Sequence, residues 1–220
     1  MLAYYLRNAQ DRTAIVNTAS LVINIFIGIG KLVLGFYLLS GWFITNALYY
    51  LVLCAAKGQA LHMYTVAKKI ESPKQKYDLE FSVYKRSGIF LCLLGVSYML
   101  VCLRMYLARD VFIFDGFIVY LVAAVAFTKL AVAIYGNIVY RQLKNPIIST
   151  LKMFNFIDAM VSIVVTQTTL LTMQASPYAI SVSALFGMAC SALFFLIGIY
   201  MLYKKKKESL SEEEGVDPSM

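Results

Sequence analysis

The stretch NIFIGIGKLVLGFYLLSGWFITNALYYLVLC, residues 24–54, joins two apolar runs at Ser40-Gly41. The first run reaches back to Thr13 and ends at Leu39. A window of about 20 apolar residues reads as a membrane span. The run is too long for the apolar core of a signal peptide, and no small-residue cleavage site follows it. It therefore reads as a retained span, with a second span directly after it. Polar groups nevertheless recur inside these runs. Asn17, Ser20, Asn24, Gly28, Lys31 and Gly35 form one seam, and Asn46, Tyr49, Tyr50, Cys54 and Lys57 form another. In lipid such groups are costly unless they face protein or water.

The remaining 166 or so residues repeat the pattern. The chain has 220 residues, is 60% hydrophobic and has a mean hydropathy of +0.71. Soluble domains sit at about 45–50% apolar. The spacing predicts six helices at 13–39, 42–65, 87–107, 112–136, 150–173 and 178–203. The fold class is an all-α integral membrane protein. Residues 1–12 form an amino-terminal segment, 13–203 the membrane domain, and 204–220 a short charged tail expected to be disordered. No soluble domain is expected after the last helix.

Charge sets the orientation. The net charge is +8, but the basic residues gather between the spans, which argues for a positive-inside pattern rather than nucleic-acid binding. One side holds Arg7, Arg12, Lys68, Lys69, Lys74, Lys76, Lys85, Arg86, Arg141, Lys144, Lys152 and the run Lys204, Lys205, Lys206, Lys207. The other side holds Arg104 and Arg109, offset by Asp110 and Asp115. Both termini are thus expected in the cytoplasm, with six crossings. Trp42 and Phe43 are expected in an aromatic belt at the outer interface. Lys31 and Lys57 are expected to snorkel or pair locally. The four cysteines read as buried thiols. His62 reads as a passive interfacial residue.

Helix 5 carries the clearest polar stripe: Asn155, Asp158, Ser162, Thr166 and Thr169, at intervals of 3, 4, 4 and 3. Asp158 is the only acidic residue well inside any span. Lys129 lies at a matching depth in helix 4, so an ion pair is one reading. A proton or cation site in a water-accessible cavity is the other. The seam of helix 6, Ser183, Gly187, Ser191 and Gly198, is chiefly small and reads as close helix packing.

Two segments carry a family resemblance. Residues 24–54 hold an Asn, a Lys-Leu, a Gly and a Ser-Gly turn leading into a polar helix. Residues 140–165, YRQLKNPIISTLKMFNFIDAMVSIVV, hold a basic loop with a Pro leading into Asp158-Ala159-Met160-Val161-Ser162. Both resemble the cation diffusion facilitators, six-helix exporters of divalent metals. The resemblance implies a bundle of that type, homodimerisation and exchange of a divalent cation for protons, while the chain's size and short tail give a bacterial plasma membrane as the expected location. It also implies a four-ligand metal site, with two ligands on each of helices 2 and 5. Carried over by position, the helix 2 pair falls on Tyr49 and Leu53, with Asn46 upstream at an acidic position. The helix 5 pair falls on Phe154 and Asp158. Asp158 alone keeps a carboxylate, and a zinc site needs about four N, O or S donors. No counterpart of the family's cytoplasmic carboxyl-terminal domain is expected.

Two functions follow as expectations. One is a secondary transporter whose altered site is centred on Asp158 and lined by Asn46, Tyr49, Tyr50, Asn155 and Ser162. The other is a non-transporting interaction or regulatory protein on the same scaffold. An enzyme is not expected, since there is no paired carboxylate site, no Ser-His arrangement and no HExxH. No cofactor is implied.

Overall fold

The computed structural model describes residues 2–108, 117–139, 145–174 and 177–204, with side chains described from Asp11 onward except at 118, 122, 137 and 139. All regular elements among them are α-helices: α1 (Leu2–Tyr37), α2 (Gly41–Ala67), α3 (Pro73–Ala108), α4 (Phe117–Val139), α5 (Pro146–Met173) and α6 (Ala179–Tyr203). Five of these are long and apolar enough to cross a membrane: α1, α3, α4, α5 and α6. They fit a multi-pass membrane protein. The 27-residue α2 is long enough too, at about 40 Å, but Asn46, Lys57, Gln59 and His62 dilute its apolar character. Arg109, Asp110, Asp115, Arg141, Lys144, Lys205, Lys206, Lys207 and the tail beyond lie outside the described residues, as do residues 112–116 of the expected fourth helix and the side chain of Arg7.

Two helices run well past their apolar stretches. The α1 helix begins at Leu2, so residues 2–12 are helical and continuous with the apolar run. The α3 helix begins at Pro73, not near residue 87. Pro at its first position suits a helix start, and Lys, Gln, Leu and Glu favour its continuation. Rings of Tyr77, Phe81 and Tyr84 stack at helical spacing, 6.3 Å apart at each step. A hydropathy reading stops where the oil stops, whereas the helix has no reason to end there.

Side-chain contacts bring particular ends together. Tyr64 Oη donates to Asp11 Oδ1 at 2.8 Å, and Lys68 Nζ lies 2.9 Å from the same atom. Asn145 caps α5, its Oδ1 accepting from Ile147 N and Ile148 N. Its Nδ2 donates to Glu80 Oε1 at 2.8 Å, which clamps the start of α5 to the first turns of α3. Lys204 lies over the Tyr84 ring. The amino ends of α1, α3 and α5 thus share one basic end of the bundle with the carboxyl ends of α2 and α6.

The core is formed by α2, α3, α5 and α6. The α3–α6 contact is built on small residues, as the helix 6 seam implied. A Cβ at Gly88 would stand 2.8 Å from Gly198 O, and one at Gly95 would stand 2.9 Å from Ser191 O. Backbones therefore touch directly. Against this core, among the described residues, α1 packs on α2 and α5, and α4 on α5 alone. Among the described residues, α1 and α4 do not approach each other. Trp42 and Phe43 are only 4% and 6% exposed, so they pack within the bundle rather than forming an outward belt. Their rings meet edge to face at 5.1 Å.

The α1–α2 turn is strained. Leu39 has φ 49°, in the left-handed region that favours glycine. Ser40 N donates to Gly35 O at 3.1 Å, the bond that ends a helix through a left-handed residue. A side chain in this conformation costs about 1–2 kcal/mol, and Leu39 is too exposed for packing to offset it. Leu39→Gly should therefore stabilise the protein by roughly 0.5–1 kcal/mol after the added freedom of the unfolded chain is counted. A thermal melt in detergent checks this. A lower midpoint in the variant would disprove the strain.

Candidate functional site

The 3.6-residue period sends Asn17, Ser20, Asn24 and Lys31 down one face of α1. That face meets α2 and α5, and each group except the first finds a partner on another helix. Lys57 Nζ donates to Ser20 Oγ at 3.0 Å. Asn24 Nδ2 donates to Asp158 Oδ2 at 3.3 Å. Lys31 Nζ donates to Asn46 Oδ1 at 3.4 Å and sits 4.6 Å above the Tyr50 ring. Gly28 lets this face close on α2, because a Cβ there would be 3.1 Å from Tyr50 Cβ. Asn17 Nδ2 turns back to Thr13 O, leaving its buried Oδ1 without a bond.

Asp158 is the junction. It is 3% exposed. Lys129 Nζ lies 3.3 Å and Lys57 Nζ 3.6 Å from Oδ2. One carboxylate thus faces two ammonium groups and an amide. Short charge-assisted bonds run to about 2.7–2.9 Å. Here every donor stands further off, so the carboxylate is shared among three helices. The side chain of Lys57 is fully buried and that of Lys129 is 28% exposed. Lys57 therefore does not snorkel. It occurs in the helix 2 seam, but its partner on α5 depends on how the helices are rotated in the bundle.

A cavity of about 690 Å³ opens beside this junction, walled by α1, α4 and α5. Asp158, Asn155, Lys129, Asn24 and Asn17 line it, with Arg12 and Lys152 towards the basic end. Ile23, Leu121 and Val125 supply apolar wall. Its size is that of a small-molecule site, about 300–1,000 Å³.

The expected site residues divide into three groups. Asp158 and Asn155 line the cavity. Asn46 and Tyr50 do not line it; they hold Lys31. Tyr49 points elsewhere: it is fully buried against Tyr50 and Tyr98, its hydroxyl without a bond. Ser162 donates to Asp158 O, within its own helix. Thr166 and Thr169 likewise bond carbonyls one turn back. Of the positions that the family resemblance assigns to metal, Leu53 and Phe154 are fully buried in the hydrophobic core. Among the described residues no three His, Cys, Asp or Glu side chains gather. His62 is exposed. Asn24, Lys57 and the cationic lining at Arg12 and Lys152 complete the arrangement.

Breaking one side of a buried ion pair costs about 3–5 kcal/mol, because the remaining charge is stranded. Asp158→Leu strands Lys57, so it should destabilise strongly. Lys57→Met combined with Asp158→Leu removes both buried charges and should recover much of that loss. Denaturation of the three proteins in detergent is the measurement. A double variant no more stable than Asp158→Leu would refute the coupling. No protein-family model, curated protein or solved structure matches this chain.

Proposed function

We propose that the chain is a six-crossing secondary transporter of a bacterial plasma membrane, with both termini in the cytoplasm and a distant kinship to cation diffusion facilitators. The observation that carries this reading is the cavity of about 690 Å³ that reaches a buried, shared carboxylate deep in the helices. Titratable groups inside a membrane are expensive and mark proton and solute paths. Asp158 is the coupling group. Taking up a proton would neutralise the carboxylate and loosen Lys129 on α4. Among the described residues α4 packs only on α5, so a shift of α4 would disturb one helix interface.

The solute does not bind Asp158 as a metal in the manner of the family. Two ammonium groups already face that carboxylate, and Leu53 and Phe154 leave two ligand positions without donors. A second reading, a non-transporting interaction protein, draws on the α5 hydroxyls. Those of Ser162, Thr166 and Thr169 are satisfied by their own helix and ask for no solute.

Proteoliposomes distinguish the two. Internal pH is followed under an imposed proton gradient while zinc, manganese, magnesium, calcium and then small carboxylates and phosphates are added in turn. A transporter gives a solute-dependent proton flux that falls at least about tenfold in Asp158→Asn, the scale of a lost essential proton carrier. Absence of flux with every solute, from protein shown to be folded, would favour the interaction reading. Flux unchanged in Asp158→Asn would remove the carboxylate from the mechanism.

A further inference from the structure

Exposure along α3 marks the face it turns outward. Ile89, Leu93, Val96, Leu100, Leu103 and Leu107 recur at intervals of 4, 3, 4, 3 and 4, and each is between 40% and 71% exposed. Side chains at this spacing share one helix face. From Ile89 to Leu107 the stripe rises about 27 Å, close to the hydrocarbon thickness of a bilayer, about 30 Å. One turn before Ile89 the stripe ends at Lys85 and Arg86, both exposed. These cations therefore stand at the depth where lipid phosphates lie.

The α6 helix ends in the same way. Leu193, Leu196, Tyr200 and Tyr203 are exposed, and exposed Lys204 follows them directly. A pair of rings joins the two helix ends. Phe81 and Tyr84 stack at 6.3 Å and lie 17° from parallel. Lys85 Nζ lies 5.5 Å from the centre of the Phe81 ring, and Lys204 Nζ 5.1 Å from that of Tyr84. A ring face positions an ammonium without cancelling its charge. Among the described residues, Lys85, Arg86 and Lys204 make no ion pair. The nearest acids of α3 do not offset them. Glu80 is buried and accepts from Asn145, and Asp78 lies about two turns beyond Lys85, away from the apolar stripe.

We infer that this corner of α3 and α6 is a docking site for an anionic phospholipid. The ammonium groups of Lys85 and Lys204 hold the phosphodiester, and Arg86 adds a third positive charge next to Lys85. The acyl chains lie along Ile89 and Leu93. The partner is a lipid rather than a soluble anion, because on both helices the cations adjoin side chains that face hydrocarbon. It is anionic rather than zwitterionic, because a choline head group would bring a further cation to a surface that already carries three. The site depends neither on transport nor on the cavity at Asp158.

The test uses the purified full-length chain in a neutral detergent, with dioleoyl phosphatidylglycerol and dioleoyl phosphatidylcholine as probes. Native mass spectrometry counts the lipids retained at each concentration. Phosphatidylglycerol should bind saturably and at least about tenfold tighter than phosphatidylcholine, with a preference that shrinks as salt rises. Lys85→Gln combined with Lys204→Gln should weaken phosphatidylglycerol about tenfold or more, the scale of two cations at a membrane surface. Both side chains are exposed, so the fold is retained. Lys69→Gln combined with Lys74→Gln removes the same charge from the same end of the bundle, outside the Phe81–Tyr84 stack. It should weaken binding by less than about twofold, since exposed charges at a distance are screened. Glycerol phosphate, the head group without chains, should fail to displace the lipid. Equal affinity for the two lipids would overturn the assignment. So would equal losses in the two double variants, the mark of diffuse surface charge. Displacement by glycerol phosphate at equal concentration would overturn it too, in favour of a soluble anion.

Discussion

Three donors from three helices converge on the carboxylate of Asp158: Asn24 from α1, Lys57 from α2 and Lys129 from α4. Each ammonium in the hydrocarbon core costs about 2.5–3.5 kcal/mol on insertion scales. A single acid on α5 makes two of them tolerable. The arrangement also ties four helices to one point. Were Asp158 absent, the seam of α1 would lose its central rung and α4 its polar link to the bundle.

The helices around this point fall into two groups. The α3–α6 pair is backbone against backbone at Gly88, Gly95 and Gly198, with no room for adjustment. The α1 and α4 helices lean on α5 from either side and leave a gap between them. Rigid packing therefore sits on one flank of α5, and polar, loosely held contacts sit on the other. Tyr49 belongs to the first group and Asp158 to the second, although Tyr49 and Lys57, the α2 partner of Asp158, are only eight residues apart along α2. The two faces of α2 have different tasks.

Much of this is legible in the chain and some is not. Apolar runs of span length announce the helices, because lipid leaves the backbone no other way to satisfy its hydrogen bonds. The small seam of α6 announces close packing. The first turns of α3 escape, since Tyr77, Glu80 and Phe81 form a helix beyond the oil and carry no hydropathy signal. Trp42 and Lys57 escape for another reason. A period of 3.6 says which residues share a face but not which neighbour that face meets. Burial of Trp42 and the Lys57–Asp158 contact are set by helix rotation, which is a property of the assembled bundle. The stripe of α5 was legible as a stripe. That its hydroxyls bond their own carbonyls depends on rotamers, which residue identity leaves open.

The glycine contact between α3 and α6 also has a consequence for synthesis. About seventy residues separate the end of α3 from the start of α6, and the ribosome adds about 5–20 residues per second. For several seconds Gly88 and Gly95 have no backbone to rest against. At that stage α3 has its small residues at Gly88 and Gly95 without the α6 backbone that meets them in the finished fold. Closure of the core waits for the last segment to be threaded. Until α6 arrives, the close backbone contact at Gly88, Gly95 and Gly198 does not exist, and α3 carries its small-residue face unpaired.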